Sequence, residues 1–242
     1  MSRLPVLLLH AFPLDHRMWA ATTARLPDLT VIAPDLPGRA IAGEPSLDAV
    51  ADAVADDLRA ASLGPVVVAG LSMGGYVALA LLERHPDLVA ALGLVDTKST
   101  ADAPEARANR LRIADEADAT GSVDPVRAMS GVLLGESTRA ARPELTRQVD
   151  AWIGAQDSAA VAWSQRAMAA RPDRTEVLRA FAGPVVVVVG DEDTVTPAAG
   201  AELMASTAQR GRLVVVPRAG HLTAIEDPAA VADALIELAN QL

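Results

Sequence analysis

Cysteine is absent from this 242-residue chain, which excludes disulfides, thiolate metal sites and a cysteine nucleophile. Long apolar runs are absent too. Val185 to Val189 falls far short of the roughly 20 residues a membrane helix needs, and the run Leu7 to Leu9 meets His10 too early to form a signal-peptide core. The expectation is a cytoplasmic protein with no membrane partner. There is no Lys/Arg run, and the net charge is −10. Because affinity for nucleic acid rests on basic patches, nucleic acid is excluded as a partner.

What is present is a chain with 51% apolar and 21% charged residues, long enough for one large α/β domain with a sizeable core. Six short apolar, β-branched segments bounded by Gly, Pro or Asp predict buried strands: Leu4 to His10, Leu29 to Asp35, Pro65 to Gly70, Ala90 to Asp96, Pro184 to Gly190 and Arg212 to Pro217. Helical patterns lie between them. Leu47, Val50, Val54 and Leu58 share one face behind a Ser46 cap, and Val231, Leu235 and Leu238 share another behind Asp227 and Pro228. Strands alternating with helices predict a three-layer α/β/α sandwich around a mostly parallel sheet.

The stretch from Lys98 to Arg179 breaks the rhythm. It lacks a β-branched run and predicts helices, so 1–97 and 181–242 form the expected core and 98–180 a helical lid over the carboxyl ends of the strands, where open α/β sheets place their ligands. Residues 99–180 hold eleven Arg and twelve Asp/Glu. That balance fits a mixed, solvated helix surface better than an entrance for anionic compounds.

Gly70-Leu71-Ser72-Met73-Gly74 forms G-x-S-x-G directly after the strand PVVVAG and before the helical YVALALLER. A sharp strand-to-helix turn lifts the serine hydroxyl off the sheet, and small residues two positions to either side let the backbone pack closely. A plain Gly/Ser loop is the bland alternative, and the flanking elements disfavour it. A serine hydroxyl needs a base beside it, and that base needs an orienting acid. His221 follows the last strand and Asp193 the strand before it, giving the order Ser, Asp, His that this architecture requires.

Among the other histidines, His85 predicts a surface cap, His16 a helix start, and His10 a hydrogen-bonded structural residue at the edge of the site, with a lesser claim to be the base. Asp191, Glu192 and Asp96 are rival acids. None of these histidines and acids pairs with another at helical metal-ligand spacing, so no metal is expected. The oxyanion donors should be the backbone N–H groups of Met73, directly after the nucleophile, and Phe12, on the turn after the first strand.

Six segments run in this order over nearly the whole chain: HAFPLDHRMW, IAPDLPG, GLSMGGYVAL, LVDT, GDEDTVTP and AGHLTAIEDP. On them the sequence resembles the α/β-hydrolase superfamily, and it is most similar to the branch of 3-oxoadipate enol-lactonases and small carboxylesterases. The resemblance implies Ser72, Asp193 and His221 as a triad, Phe12 and Met73 as the oxyanion hole, and hydrolysis of a small-molecule ester or lactone without a cofactor. Serine rather than aspartate at the elbow argues against a haloalkane dehalogenase or an epoxide hydrolase. Two loops depart from the family pattern: His10-Ala11 stands where His-Gly is usual, and Gly38-Arg39-Ala40-Ile41-Ala42 where Gly-x-Gly-x-Ser is usual.

The same triad also serves C–C bond hydrolysis, acyl transfer and cofactor-free perhydrolysis, and a small-ligand receptor on this fold is the alternative of another class. Trp152, Trp163 and Met129 are the candidate pocket-wall residues, with Met168 beside them and Tyr76 expected within its helix.

Overall fold

The computed structural model describes residues 4–36 and 42–242. Six strands form one parallel sheet. They are β1 (Val6–Leu9), β2 (Val31–Ile32), β3 (Val66–Leu71), β4 (Val89–Val95), β5 (Val185–Gly190) and β6 (Gly211–Val216), in the order β2-β1-β3-β4-β5-β6. Every residue of β1, β3 and β5 is buried. This is why these strands read as unbroken runs of Val, Leu and Ala: both pleat faces are covered by helices and neither can be polar. Each fully buried Val or Leu contributes about 1.5–3 kcal/mol of transfer free energy.

All six predicted strands are present, with β2 shorter than expected. It pairs with β1 only at Val31 and Ile32, and Pro34, lacking an N–H, cannot carry the ladder further.

The longer helices are α1 (Leu47–Ala60), α2 (Met73–Arg84), α3 (Pro104–Thr120), α4 (Pro143–Gly154), α5 (Ser158–Ala170), α6 (Ala198–Thr207) and α7 (Pro228–Ala239). Ser46 caps α1 by accepting from the N–H groups of Asp48 and Ala49, and Asp227 caps α7 by accepting from that of Ala230, with Pro228 opening the helix. Leu235 of α7 lies so close over Gly93 of β4 that a Cβ there would come within 3.0 Å of its Cδ2. No helix among the described residues is long and apolar enough to cross a membrane.

Between β4 and β5 the chain builds α3, α4, α5 and several shorter helices. Charge fastens this insertion. Asp102, at its start, accepts from Arg171 at its far end (2.8 and 2.9 Å), from Arg110 of α3 (2.6 Å) and from Lys98 (2.9 Å). Burial opposes ionisation of Asp102, but these cations outweigh it and hold its carboxyl well below the usual range. Because the strands are parallel, the loops after β1, β3, β4, β5 and β6 all emerge at one edge. Those loops carry Phe12, Ser72, Asp96, Asp193 and His221.

Candidate active site

Ser72 sits between β3 and α2 at φ 53° and ψ −112°, a left-handed backbone that a side chain adopts only under constraint. The constraint is visible in the flanking glycines. A Cβ on Gly70 would lie 2.2 Å from the Gly74 carbonyl carbon, and one on Gly74 would lie 2.1 Å from the Leu9 oxygen. The turn is held further by the Ser72 N–H donating to the Val95 oxygen (3.0 Å) and by the Thr97 hydroxyl donating to the Ser72 carbonyl (2.8 Å).

The Ser72 Oγ lies 2.8 Å from His221 Nε2, and His221 Nδ1 lies 2.8 Å from Asp193 Oδ2. Asp193 accepts further bonds from the Val195 N–H (2.8 Å), the Thr196 N–H (2.9 Å) and the Thr196 hydroxyl (2.7 Å). Burial pushes the Asp193 carboxyl up, but the His221 bond and charge together with the Thr196 donors win and keep it below the ordinary value. An ionised carboxylate can only accept, so Nδ1 carries the ring proton and Nε2 is free to accept from the serine hydroxyl. His221 is 1% exposed and Ser72 9%. Ser72 is therefore the less deeply buried end of this contact.

Asp96, the rival acid, does not bond the imidazole. Its carboxylate accepts from the Gly190 N–H (3.1 Å) and from the N–H and hydroxyl of Thr223 (2.9 and 2.6 Å). Burial pushes it up to about 7, with His221 nearby pulling down and Asp193 pushing up. Of the remaining rivals, Asp191 accepts from the Arg218 N–H and Glu192 from Ser137.

His10 has both ring nitrogens engaged. Nε2 accepts from the Leu36 N–H (2.9 Å) and Nδ1 donates to the Ala11 oxygen (3.0 Å), while burial lowers its pKa. Both bonds go to the backbone of neighbouring loops, and His10 also lines the cavity beside Phe12. His16 pairs with Asp35 and His85 with Asp52, and neither histidine bonds the serine. Asp15, His16 and Asp35 bring three potential ligand atoms within 4.8 Å of one another, but Asp15 already takes Arg17 and Asp35 takes His16.

Met73 opens α2, where the first N–H groups have no intrahelical partner, and Phe12 lies on the turn after β1. Among the described residues, neither N–H donates to a protein acceptor. The Ala11 methyl is fully buried, and its N–H donates to Met18 Sδ (3.1 Å), so the turn accommodates the extra carbon. The second departing loop runs from Gly38 to Ala42, and its residues 38–41 lie outside the described residues.

Beside Phe12 and Met73 opens a cavity of about 420 Å³. Leu47 and Val50 of α1 form one wall, and Val161 and Trp163 of α5 form another. Of the wall candidates only Trp163 lies here. Trp152 packs elsewhere, with the Arg17 guanidinium 5.5 Å over its ring, and Met129 is half-buried against the core. Met168 is buried beside Arg110, and Tyr76 is buried with Arg171 stacked 3.9 Å from its ring centre. Sequence reasoning missed Leu47 and Val50 as wall residues, because an apolar stripe at helical spacing reads as packing whether it meets a helix or a cavity. It also missed Thr196, whose place three residues after Asp193 in DEDTVTP was the available signal.

With this geometry in hand, the relatives are informative. An esterase from Thermogutta terrifontis superposes with a TM-score of 0.94 at 38% identity, covering 99% of this chain and 90% of that one. A 2-succinyl-6-hydroxy-2,4-cyclohexadiene-1-carboxylate synthase from an Enterobacter species is 29% identical over 96% of this chain and 90% of its own length. An enol-lactonase from Burkholderia xenovorans shares the fold with a TM-score of 0.88 at 21% identity, covering 99% and 92% of the two chains. The sequence profile of the alpha/beta hydrolase family matches residues 6–234, and the chain belongs to that family.

Proposed function

We propose that this protein is a serine hydrolase that cleaves a carboxylic ester or lactone through an acyl-enzyme, with Ser72 as nucleophile, His221 as base and Asp193 as the acid that orients it. The observation that carries the reading is the unbroken chain of two 2.8 Å contacts from Asp193 through His221 to the Ser72 hydroxyl. As the Ser72 oxygen attacks the carbonyl carbon, Nε2 takes its proton and the ionised Asp193 stabilises the imidazolium that forms. The same proton then goes to the departing alkoxide. In the second half, His221 deprotonates water, which attacks the acyl carbon; the bond to Ser72 Oγ breaks, the imidazolium returns the proton to that oxygen, and the acid is released.

The N–H groups of Phe12 and Met73 face the oxyanion in both halves, each donor being worth about 3 kcal/mol. The cavity beside them, closed on one side by α5, receives the apolar part of the substrate, and residues 98–180 act as its lid. An esterase name on the Thermogutta relative agrees with this reaction.

The test is labelling with a fluorophosphonate beside a panel of short p-nitrophenyl esters, enol-lactones and peroxide-dependent assays, on wild type and Ser72→Ala. Ester or lactone turnover that disappears with the hydroxyl supports the proposal. Turnover equal to the Ser72→Ala control sinks it.

A further inference from the structure

The loop that carries His221 is not held by the sheet alone. Its three consecutive backbone N–H groups, at residues 220, 221 and 222, all point to acceptors outside β6. Gly220 and Leu222 donate to Glu226 Oε1 (2.8 and 3.2 Å), and His221 itself donates to the Leu133 carbonyl (2.9 Å), which belongs to the insertion. The second Glu226 oxygen accepts from the N–H of Gly135, two residues along the same insertion segment (2.8 Å). Glu226 is 4% exposed, and both of its oxygens are spent on this junction.

The junction is close-packed. A Cβ on Gly220 would lie 2.2 Å from the Gly135 nitrogen, and a Cβ on Gly135 would lie 2.8 Å from the Gly220 nitrogen and 2.6 Å from Glu192 Oε2. The acid loop is tied to the same segment. Ser137 donates its N–H (2.8 Å) and its hydroxyl to Glu192, the neighbour of Asp193, and the Ser137 hydroxyl bond is the main reason the Glu192 carboxyl sits below its ordinary value. The Glu192 N–H in turn donates to the Ala219 oxygen (2.9 Å). Five residues of the insertion, Leu133 to Ser137, thus bind the loops of both His221 and Asp193.

We propose that Glu226 is a positioning residue: its carboxylate clamps the His221 loop to the Leu133–Ser137 segment, so that the reactivity of Ser72 depends on the insertion. The proposal rests on the reading of Ser72 and His221 as nucleophile and base. The chemistry demands a carboxylate at 226, because two separate sets of N–H donors converge on it and nothing there needs a donor. A glutamine has one oxygen and one NH₂, so one set would face a donor instead of an acceptor. Misplacing the imidazole by a fraction of an ångström then slows proton transfer without altering the cavity that binds substrate.

The experiment compares wild type with Glu226→Gln, Gly135→Ala and Ser137→Ala, measuring kcat and KM on a short p-nitrophenyl ester and the second-order rate of fluorophosphonate labelling at Ser72. All measurements are made at a temperature where circular dichroism shows each protein folded. For Glu226→Gln and Gly135→Ala, kcat and the labelling rate should fall together by about 10-fold or more, with KM within about twofold. For Ser137→Ala, which deletes a single hydroxyl, the fall should be about threefold.

Folded variants that label at the wild-type rate and show only a lower Tm would reduce Glu226 to a structural residue and overturn the clamp. Should Glu226→Gln not fold, Gly135→Ala and Ser137→Ala decide by the same criterion. Wild type that fails to label at all is a separate result, which removes the nucleophile reading and the clamp with it.

Discussion

The sheet and the insertion are held by different forces. β1, β3 and β5 are buried along their whole length, so these strands are held by apolar burial, which needs no charge pairing. The insertion is laced by charge: Asp102 to Arg171, Arg110 and Lys98, Arg166 to Asp115 and Asp118, and Arg174 to Asp48 and Glu83 on the core helices. Ser72, His221 and Asp193 lie on the core's loops, while Trp163 and Val161 of the cavity wall lie on the insertion. The difference teaches that reactivity and substrate fit should respond to different perturbations, except where Leu133–Ser137 joins the two regions.

The largest effect expected is on the core side. Ser72→Ala should lower kcat by about a million-fold while leaving urea unfolding nearly unchanged, because the turn at Ser72 is held by contacts to its backbone that alanine keeps. A residual rate within tenfold of wild type would place the nucleophile elsewhere. The largest effect on the insertion side should come from Asp102→Asn. This change leaves Arg171, 2% exposed, without its compensating charge, at a cost of about 3–5 kcal/mol. Thermal unfolding should show the loss, and an unchanged Tm would break the view that charge holds the insertion.

Asp96→Asn sharpens the comparison from within the core. Asparagine offers one oxygen where Asp96 offers two, so either the Gly190 N–H or the Thr223 pair loses its acceptor, a loss of about 1–3 kcal/mol. The sign of the pH dependence is fixed by burial, which raises the Asp96 carboxyl to about 7 from 3.8. Between those values the folded protein keeps a proton that the unfolded chain has released, so this group's contribution to stability falls as pH rises through that window. The wild-type margin over Asp96→Asn in urea midpoints should therefore shrink from about pH 5 to about pH 7.5. A margin that grows would contradict it. His221 and Asp193 are the titratable groups facing Asp96, so the comparison requires that the substitution leave their geometry intact. NMR of the His221 ring checks that.

The smallest effect separates two tryptophans of the insertion. Trp163→Ala enlarges the cavity and should shift preference toward longer acyl chains, with about a 10-fold change in relative kcat/KM. Trp152→Ala, outside the cavity, should leave the chain-length profile within about twofold. Equal shifts for the two would mean that the wall is not where α5 puts it.

Much of the fold was legible because its demands are local. A strand buried on both faces must be an unbroken apolar run, so β3 and β5 declare themselves in VVVAGL and VVVVVG. A strand-to-helix turn crowded against Leu9 and Gly74 accepts only glycine at its flanks, so GLSMG announces the elbow. The wall was less legible. Leu47 and Val50 followed a cap that was correctly read, but helical spacing is silent about what an apolar face meets, and the same silence put Trp152 and Met129 into the expected wall. Glu226 stood in plain view in AGHLTAIEDP. Its partner Gly135 is 91 residues away, and no local pattern reports such a contact.

The sequence by itself determined the six strands, the caps at Ser46 and Asp227, the strained serine and the order in which serine, acid and base follow one another. These depend on backbone conformation and burial over a few neighbouring residues. Only the tertiary structure decided that Asp193 rather than Asp96 meets the imidazole, that Trp163 rather than Trp152 walls the cavity, and that Leu133–Ser137 of the insertion grips the His221 loop. Each of those is a distance between segments far apart in the chain, and such distances exist only once the sheet has brought its carboxyl edge together.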